Sequence, residues 1–206
     1  MGFYNDKIVP RLVTCACGTK PILKQRAKVV PQARGNVLEI GVGAGHNLPY
    51  YDSQRVESIV GIDPCQTSWR LAATRAAQVG VPLEFVEGSA EKMPLPDAQF
   101  DTVLMTYSLC TIPDAHAALA EMRRVLKPGG SLVFCEHGKA PDPGVARWQQ
   151  RINPLWRRVL GGCNVNRPIV EWIKNAGFAL EQLDEMYLPG TPRIAAFNMW
   201  GSARHT

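Results

Sequence analysis

Three alternate glycines follow an apolar run near the beginning of the chain, and they are the residues best suited to chemistry. The stretch VLEIGVGAGHN, residues 37–47, contains Gly41, Gly43 and Gly45, followed by His46 and Asn47. Because glycine has no Cβ, the backbone there can approach a ligand closely and adopt dihedral angles that other residues avoid. The pattern is typical of a nucleotide-binding loop.

The spacing of these glycines can be compared with two known nucleotide-binding motifs, the P-loop and the dinucleotide-binding loop. A phosphate-binding P-loop requires GxxxxGK followed by Ser or Thr, which the sequence lacks. A dinucleotide-binding fold has GxGxxG, and His46 occupies the position of its third glycine. Asp63 lies where such a fold also places its ribose-binding acid, so it does not discriminate. Without a YxxxK pair or another hydride-transfer motif, a dinucleotide-dependent oxidoreductase is disfavoured.

Composition and charge narrow the class of protein. A chain of 206 residues is long enough for one domain with a substantial core. The net charge of +5 permits acidic partners, but the basic residues are scattered and no aromatic–basic RNA motif occurs, so no nucleic acid is expected. The 6 cysteines form no CxxC pair and have no histidine at ligand spacing, which predicts neither a metal site nor disulfides. No apolar run approaches the roughly 20 residues of a membrane span, and a cytoplasmic location is expected.

Short apolar segments alternate with helical patterns along the chain. Asp114–Leu126 is predicted as a helix with Asp114 as its N-cap and Lys127–Gly130 as its stop signal, and Thr67–Gln78 is predicted as another helix. Two more helical stretches surround residues 8–9 and 22–23. This alternation predicts a parallel sheet with helices on both faces and an antiparallel hairpin at one edge. The predicted strands are Asn36–Ile40, Ser58–Ile62, Leu83–Val86, Thr102–Met105, Ser131–Cys135, Ala179–Asp184 and Ile194–Trp200.

An ordered series of motifs resembles the class I S-adenosylmethionine (SAM) methyltransferases across residues 37–136. The motifs are Glu39–Gly45, Gly61–Pro64, Gly88–Pro94, Phe100–Asp101 and Leu126–Gly130. The resemblance implies a Rossmann-like α/β fold whose seven strands have the order 3-2-1-4-5-7-6, with strand 7 antiparallel. It also implies SAM as the cofactor and S-adenosylhomocysteine as the product. We expect a single domain over residues 1–206, with a helical cap at 1–35 and a substrate lid at 138–177.

The resemblance also suggests which residues bind SAM. Gly41 and Gly43 would lie against its methionine moiety, and Glu39 would orient this loop or the cofactor's ammonium group. The alternative interpretation of Glu39 is a solvated charge at a strand end. Asp63 would accept bonds from both ribose hydroxyls, and Pro64, Ser89 and Ala90 would contact the adenine. The remaining predicted cofactor-binding residues are Tyr4, Asn47, Thr106 and Tyr107.

The C-terminal half is similar to a narrower group, the thiol S-methyltransferases. The similarity is carried by the motifs Leu109–Cys110, Glu136–His137, Trp148–Gln150, Pro154–Trp156 and Gly162–Asn164, together with Arg167. It implies a small, apolar acceptor with a thiol favoured. Phospholipid or amine N-methylation, quinone-type methylation and a catalytically silent SAM-binding protein are the alternatives. The predicted acceptor pocket contains Cys110, His137, Trp148, Cys163, Asn164 and Arg167.

His137 is the predicted catalytic residue, because a thiolate is a better nucleophile than a thiol and a histidine can take up the proton near neutral pH. A structural histidine bonded to a carbonyl is the alternative. Direct methyl transfer needs no covalent enzyme intermediate, so Cys110 and Cys163 are interpreted as pocket walls. Apolar residues between Trp148 and Val159 have helical spacing with arginines between them, which fits either an apolar face over the active site or peripheral membrane contact. We expect Pro154 to interrupt this helix, which favours the lid; the oligomeric state is left open.

Overall fold

The protein is built on one seven-stranded sheet with the predicted strand order β3-β2-β1-β4-β5-β7-β6. The structure, a computed structural model, describes residues 14–205. Strands β1 to β5 pair in parallel, whereas β7 pairs antiparallel with both β5 and β6. The strands are β1 Gly35–Ile40, β2 Val56–Asp63, β3 Leu83–Glu87, β4 Phe100–Thr106, β5 Leu126–His137, β6 Phe178–Tyr187 and β7 Phe197–His205.

Helices cover both faces of the sheet, as predicted. They are α1 Lys20–Val29, α2 Gln66–Arg70, α3 Ala73–Ala76, α4 Ala115–Val125, α5 Pro143–Val159, α6 Ile169–Asn175 and α7 Arg193–Ala196. Successive strand residues point to opposite faces, so Leu38 belongs to one buried cluster and Val37 to another. The first cluster includes α4 and α6, and the second includes the end of α1. The helical stretch predicted at 22–23 lies in α1, whereas Tyr4 and the stretch at 8–9 lie outside the described residues.

The predicted helix over residues 67–78 is wrong in its continuity, because the segment forms the two short helices α2 and α3. Between them, the amides of Leu71 and Ala72 bond back three residues rather than four, the tighter pattern of a 3₁₀ turn. Ala72 is fully buried there and lies against Gly45. Packing against the glycine loop therefore overrides helix propensity.

Helix α4 begins as predicted, but the segment after it differs. The Asp114 carboxylate accepts hydrogen bonds from the amides of His116 at 3.1 Å and Ala117 at 2.9 Å, which confirms the N-cap. The helix ends at Val125, one residue early, and Leu126 already pairs with Phe100. Residues 127–130, predicted only as a stop, form an irregularity within β5.

Two predictions in the C-terminal part are also wrong. Residues 194–196 are helical rather than extended, because the turn after Pro192 closes with a 2.8 Å bond from the Ala195 amide to the Pro192 carbonyl. Pro154 lies inside α5 without interrupting it. A proline in a helix leaves the carbonyl four residues earlier unpaired, and Gln150 is exposed, so water can satisfy it. Among residues 14–205, no helix is both long and apolar enough to cross a membrane.

Candidate active site

A cleft of about 380 Å³ opens at the carboxyl ends of β1, β2, β3 and β4. This is the edge at which open parallel sheets bind ligands, because the connections to the helices diverge there. Its walls include residues 40–44 after β1, 62–65 after β2, 88–90 after β3 and 106–108 after β4. The fold therefore brings together Gly41, Gly43, Asp63, Pro64, Ser89, Ala90, Thr106 and Tyr107, all predicted as cofactor-binding residues.

The glycine loop owes its shape to Gly41 and Gly43, whose φ angles are +67° and +49°. A Cβ at Gly41 would lie 2.5 Å from the Ser108 hydroxyl oxygen, so even a methyl group does not fit. The Ser108 hydroxyl donates a 2.8 Å bond to the Ile40 carbonyl, which holds the end of β4 against the loop. Arg75 donates to the Ala44 carbonyl at 3.0 Å. The loop is thus positioned from both sides.

Asp63 ends β2 with its carboxylate in the cleft wall. Its two oxygens accept the backbone amides of Gly43 at 3.0 Å and Cys65 at 2.7 Å. Burial raises the pKa of Asp63, and these two hydrogen bonds oppose the rise. An ionised carboxylate offers about four lone-pair sites, so each oxygen keeps capacity for one hydroxyl of a vicinal diol such as a ribose.

Ser89 lines the same cleft, but its hydroxyl is already engaged. It donates to the Glu91 carboxylate at 2.8 Å and accepts the Glu91 amide at 3.2 Å. A hydroxyl has one hydrogen to donate, so Ser89 has little left for a ligand. Its neighbour Ala90 is buried in the cleft wall, where it can offer a ligand only its backbone and its methyl group.

Glu39 and Asn47 lie behind the cleft in a buried hydrogen-bond network. Glu39 is only 1% exposed, so its interpretation as a solvated charge is wrong. Its carboxylate accepts from Tyr51 at 2.7 Å and from the Asn47 side chain at 2.9 Å. Burial raises the pKa of Glu39 to about 7, although these bonds and the charge of Arg26 oppose the rise. Glu39 therefore supports the cleft through Asn47.

Arg26 is a cleft residue that the sequence reasoning missed. It projects from α1, is only 5% exposed, and donates to Asn47 at 2.7 Å and to Thr106 at 2.5 Å. Its guanidinium carbon lies 5.1 Å from the centre of the Tyr107 ring, and its Nε has no partner among the described residues. A buried arginine in a ligand cleft favours an anion. The only sequence signal is a basic residue on the same helix face as the buried Val29.

Tyr107 has an unusual backbone for its residue type, with a φ angle of +53°. Its amide bonds to the Cys135 carbonyl at 2.9 Å and its hydroxyl donates to Asn198 at 2.5 Å, so both ends are held. Such strain is often found at functional sites. His46 also lines the cleft, where burial and the charges of Arg26 and Arg75 lower its pKa to about 4.

Cys110, His137 and Cys163 form a compact cluster beside the cleft. The Cys163 sulfur lies 3.2 Å from His137 Nε2 and 3.8 Å from the Cys110 sulfur. None of the three is among the described residues lining the cleft, but Thr111 and Gly161 are. Burial lowers the pKa of His137, but Cys163 and the charge of Glu136 outweigh burial and raise it. Sequence spacing gave no sign of this cluster, because its three residues come from separate segments of the chain.

Asn164, Arg167 and Trp148, predicted in the acceptor pocket, do not line the cleft. The Asn164 side chain donates to the carbonyls of Cys110 at 2.8 Å and Gly162 at 2.9 Å, and Arg167 donates to the carbonyls of Leu109 and Ile112. These two residues therefore tie the insert to the turn after β4. Trp148 is 58% exposed on α5 and does not reach the cleft.

Comparison with known proteins agrees with this architecture. Residues 38–134 match the family model described as a methyltransferase domain. The chain is 32% identical to thiol S-methyltransferase TMT1B from Homo sapiens, over 84% of this chain and 74% of the relative. It is 28% identical to thiol S-methyltransferase TMT1A from Homo sapiens, over 84% of this chain and 72% of the relative.

Solved structures share the same fold. A SAM-dependent methyltransferase from Aquifex aeolicus superimposes with a TM-score of 0.67 at 19% identity, covering 97% of this chain and 100% of that one. Geranyl diphosphate methyltransferase, solved in complex with SAM, gives 0.71 at 14% identity, covering 89% and 85%. The match to the methyltransferase family supports SAM as the cofactor, and the cleft contains the glycine loop and the acid that were predicted to bind it. The chain therefore belongs to the class I SAM-dependent methyltransferases, close to the thiol S-methyltransferase group.

Proposed function

We propose that the protein methylates a small, apolar thiol. We infer the class of acceptor from the similarity to thiol S-methyltransferases, which covers 84% of the chain. This similarity extends well beyond residues 38–134, the part that matches the general methyltransferase family model. The cleft wall beyond the glycine loop supports an apolar acceptor, because it includes Tyr107, Ile112 and Pro113.

The cleft residues fit SAM. A cavity of about 380 Å³ is within the usual size range of small-molecule sites, and Gly41 and Gly43 line it without a side chain. In our proposal the methionine moiety lies along Gly41 and Gly43, with Arg26 facing its carboxylate. The ribose lies at Asp63, and the adenine lies at Pro64, Ser89 and Ala90. Bound SAM supplies a methyl group already activated by its sulfonium.

The protein's own part in the reaction is to align the acceptor and exclude water. Alignment of two reactants removes much of the entropic barrier, and Tyr107, held at both ends, is a rigid wall for this purpose. We propose that the acceptor thiol is ionised at the side of the cleft lined by Thr111 and Gly161. Next to this side, His137 contacts Cys163. Residues 138–177 form the outer part of this side in our proposal.

The outer face of α5 supports a second, weaker proposal of peripheral membrane contact. Trp148, Leu155 and Val159 are 58%, 68% and 45% exposed, so this apolar stripe does not close over the cleft. Arg147 and Arg151 flank it, as on helices that lie at a membrane surface. Co-sedimentation with anionic vesicles that is abolished by Leu155→Glu would support the contact, and equal recovery of both proteins would exclude it.

The acceptor is tested with substrates that differ in one atom. Benzenethiol, aniline and phenol share a ring, and release of S-adenosylhomocysteine is measured for each. We expect turnover with the thiol and at least about tenfold less with the other two, because the thiolate is the best nucleophile near neutral pH. Faster reaction of the amine or phenol would refute the proposed acceptor. SAM binding without turnover on a wide panel of thiols, amines and phenols would instead indicate a silent binding protein.

A further inference from the structure

We propose that Cys110, His137 and Cys163 form a three-ligand zinc site whose fourth position binds the acceptor thiolate. The existence of the metal site is independent of the proposed function, whereas the role of its fourth position rests on it. The three ligand atoms lie within 4.8 Å of one another, although their residues are separated by up to 53 positions in the sequence.

The distances between the ligand atoms fit a tetrahedral zinc ion. Bonds of about 2.3 Å to sulfur and about 2.0 Å to nitrogen, at the tetrahedral angle, separate two sulfurs by about 3.8 Å and a sulfur from a nitrogen by about 3.5 Å. The corresponding distances here are 3.8 Å between the two sulfurs and 3.2 Å from the Cys163 sulfur to His137 Nε2. The third pair, the Cys110 sulfur and the His137 nitrogen, lies within 4.8 Å, so one ion reaches all three ligands after this pair closes by up to about 1.3 Å.

The backbone around each ligand is held in place. Glu136 accepts the amides of Ser108 at 2.7 Å and Leu109 at 3.0 Å, which positions the turn that carries Cys110. The backbone amide and the side chain of Asn164 both donate to the Cys110 carbonyl, at 2.9 Å and 2.8 Å, so the loop of Cys163 is tied to that turn. His137 ends a strand that is paired on both sides. Ligands supported in this way bind a metal with little reorganisation.

Charge balance also favours a divalent cation. Two thiolates and one neutral imidazole around Zn²⁺ have no net charge, which suits a site where Cys110 is only 2% exposed. Copper(I) or iron–sulfur chemistry also uses thiolates, but a mixed sulfur and imidazole set of this geometry is typical of zinc.

In this proposal the open position faces the methyl-transfer cleft, because residues beside two of the ligands line that cleft. Thr111 follows Cys110 in the chain and lines the cleft, as does Gly161 two residues before Cys163. Three protein ligands with one free position are typical of catalytic zinc sites. An acceptor thiol that binds there loses its proton to solvent and becomes a zinc-bound thiolate. Its sulfur forms a bond to the methyl carbon while the methyl–sulfonium bond breaks, and that electron pair leaves with S-adenosylhomocysteine; the neutral thioether then dissociates from the metal.

Metal binding is tested on the full chain under reducing conditions, without acceptor. We expect one Zn²⁺ per chain, and a Co²⁺-substituted protein with sulfur-to-metal charge-transfer absorption and the intense visible bands of a tetrahedral site. Cys163→Ser and His137→Gln should weaken Zn²⁺ binding at least about 100-fold, whereas Cys15→Ser, at an exposed cysteine, should leave it unchanged. SAM binding by the variants controls for folding.

The possible results separate the alternatives. Failure of the wild-type protein to bind Zn²⁺ and Co²⁺, or binding that both ligand variants retain, would overturn the site. A Cys110–Cys163 disulfide that persists under those reducing conditions would also overturn it. If benzenethiol shifts the Co²⁺ spectrum and phenol does not, the fourth position binds the acceptor. If the metal binds but thiols are methylated equally fast after chelation, the metal does not bind the acceptor during catalysis. If the metal binds and no thiol reacts, the metal site stands and only the proposed function fails.

Discussion

At the scale of single residues, the cleft depends on side chains that are already hydrogen-bonded before a ligand binds. Asp63 accepts two backbone amides, and Arg26 is held by Asn47 and Thr106. Side chains arranged in this way lose little entropy on binding, because their rotamers are selected by the protein itself. Ligand recognition then depends on the hydrogen-bonding capacity that each residue retains.

This difference in capacity predicts unequal effects of two substitutions on SAM binding. Asp63→Ala should weaken binding by at least about tenfold, since charge-assisted bonds are lost, whereas Ser89→Ala should weaken it by less than about fivefold. Titration calorimetry of both variants checks this, with Asp63→Asn as a control that preserves shape. Equal losses would show that the ribose does not lie at Asp63.

Glu39 makes stability depend on pH. Its pKa of about 7 in the folded protein lies above its ordinary value of 4.5, so between these pH values the unfolded chain loses the proton first. The contribution of Glu39 to the free energy of unfolding is therefore complete below pH 4.5 and is lost as the pH rises toward 7.

Glu39→Gln should remove this dependence. The free energy of unfolding of the wild-type protein relative to Glu39→Gln should fall from about pH 5 to about pH 7, by at most about 1.4 kcal/mol per pH unit. Urea denaturation across that range measures it, and Glu57→Gln, an exposed position on β2, is the matched control. A constant difference between wild type and Glu39→Gln would mean that Glu39 stays ionised throughout.

At the scale of elements, the glycine loop is shaped by its contact with the end of β4. Gly41 has a positive φ angle and also lies against Ser108, whereas Gly80 has a similar φ of +72° with no described atom within 4 Å of the position that a Cβ would take. The two glycines therefore share backbone strain but differ in steric contact.

We expect Gly41→Ala to reduce both stability and SAM affinity, and Gly80→Ala to reduce stability alone. A left-handed alanine costs about 1–2 kcal/mol, and at Gly41 displacement of Ser108 adds to this. Calorimetry with SAM and urea denaturation of both variants provide the comparison. Matching effects of the two substitutions on affinity would contradict a requirement for close packing at the loop.

Helix α5 is attached to the segment after β5 and to α7 by its buried side chain, Gln149. Gln149 donates to the carbonyls of Gly138 at 3.0 Å and Ile194 at 3.1 Å, and it accepts the Ala140 amide at 2.9 Å. Its neighbour Gln150 is exposed and makes one bond, to Asn166 at 2.7 Å. A buried backbone group that loses its partner costs about 1–3 kcal/mol.

Gln149→Ala should therefore lower the free energy of unfolding by at least about 2 kcal/mol, and Gln150→Ala by less than about 0.5 kcal/mol. Urea denaturation of the two variants tests this directly. If both changes are equally small, α5 is held mainly by its apolar contacts.

At the scale of the whole molecule, one sheet joins the two buried clusters. Leu38 and Val60 belong to one cluster, and Val37 and Ile59 on the same two strands belong to the other. Because both clusters are built on the same strands, loss of either one destabilises the strands that the other packs against, so we expect a single cooperative unfolding transition. In our proposal SAM binds where the strands of this sheet end, which would couple binding to that transition.

SAM and S-adenosylhomocysteine should raise the melting temperature, and NAD should not. A ligand at 100 times its dissociation constant stabilises the folded state by about 2.7 kcal/mol, which corresponds to roughly 5–10 °C for a domain of this size. Thermal melts followed by tryptophan fluorescence and by circular dichroism provide the test. Stabilisation by NAD would contradict the cofactor, and separate transitions would contradict a single domain.

Local patterns in the sequence were sufficient for a parallel sheet with an antiparallel hairpin at one edge and for the residues of the cleft, and the resemblance to SAM methyltransferases supplied the strand order. Glycine spacing, Asp63 at the end of a strand and the alternation of strands with helices are local patterns. All strands of a parallel sheet end at the same edge, so residues that local patterns place at strand ends lie close together. Gly41, Asp63 and Ala90 were therefore predictable as neighbours, although Asp63 and Ala90 are far apart in the chain.

Only the tertiary structure decided the residues whose roles depend on distant partners. Arg26 meets Thr106 across 80 positions, and Cys163 meets Cys110 across 53. No periodicity or spacing encodes such a contact, because it depends on how α1 and the insert pack against the sheet. The exposure of the Trp148 side chain and the continuity of α5 through Pro154 were likewise decided by packing. Local propensity is a small free-energy term, and tertiary contacts outweigh it.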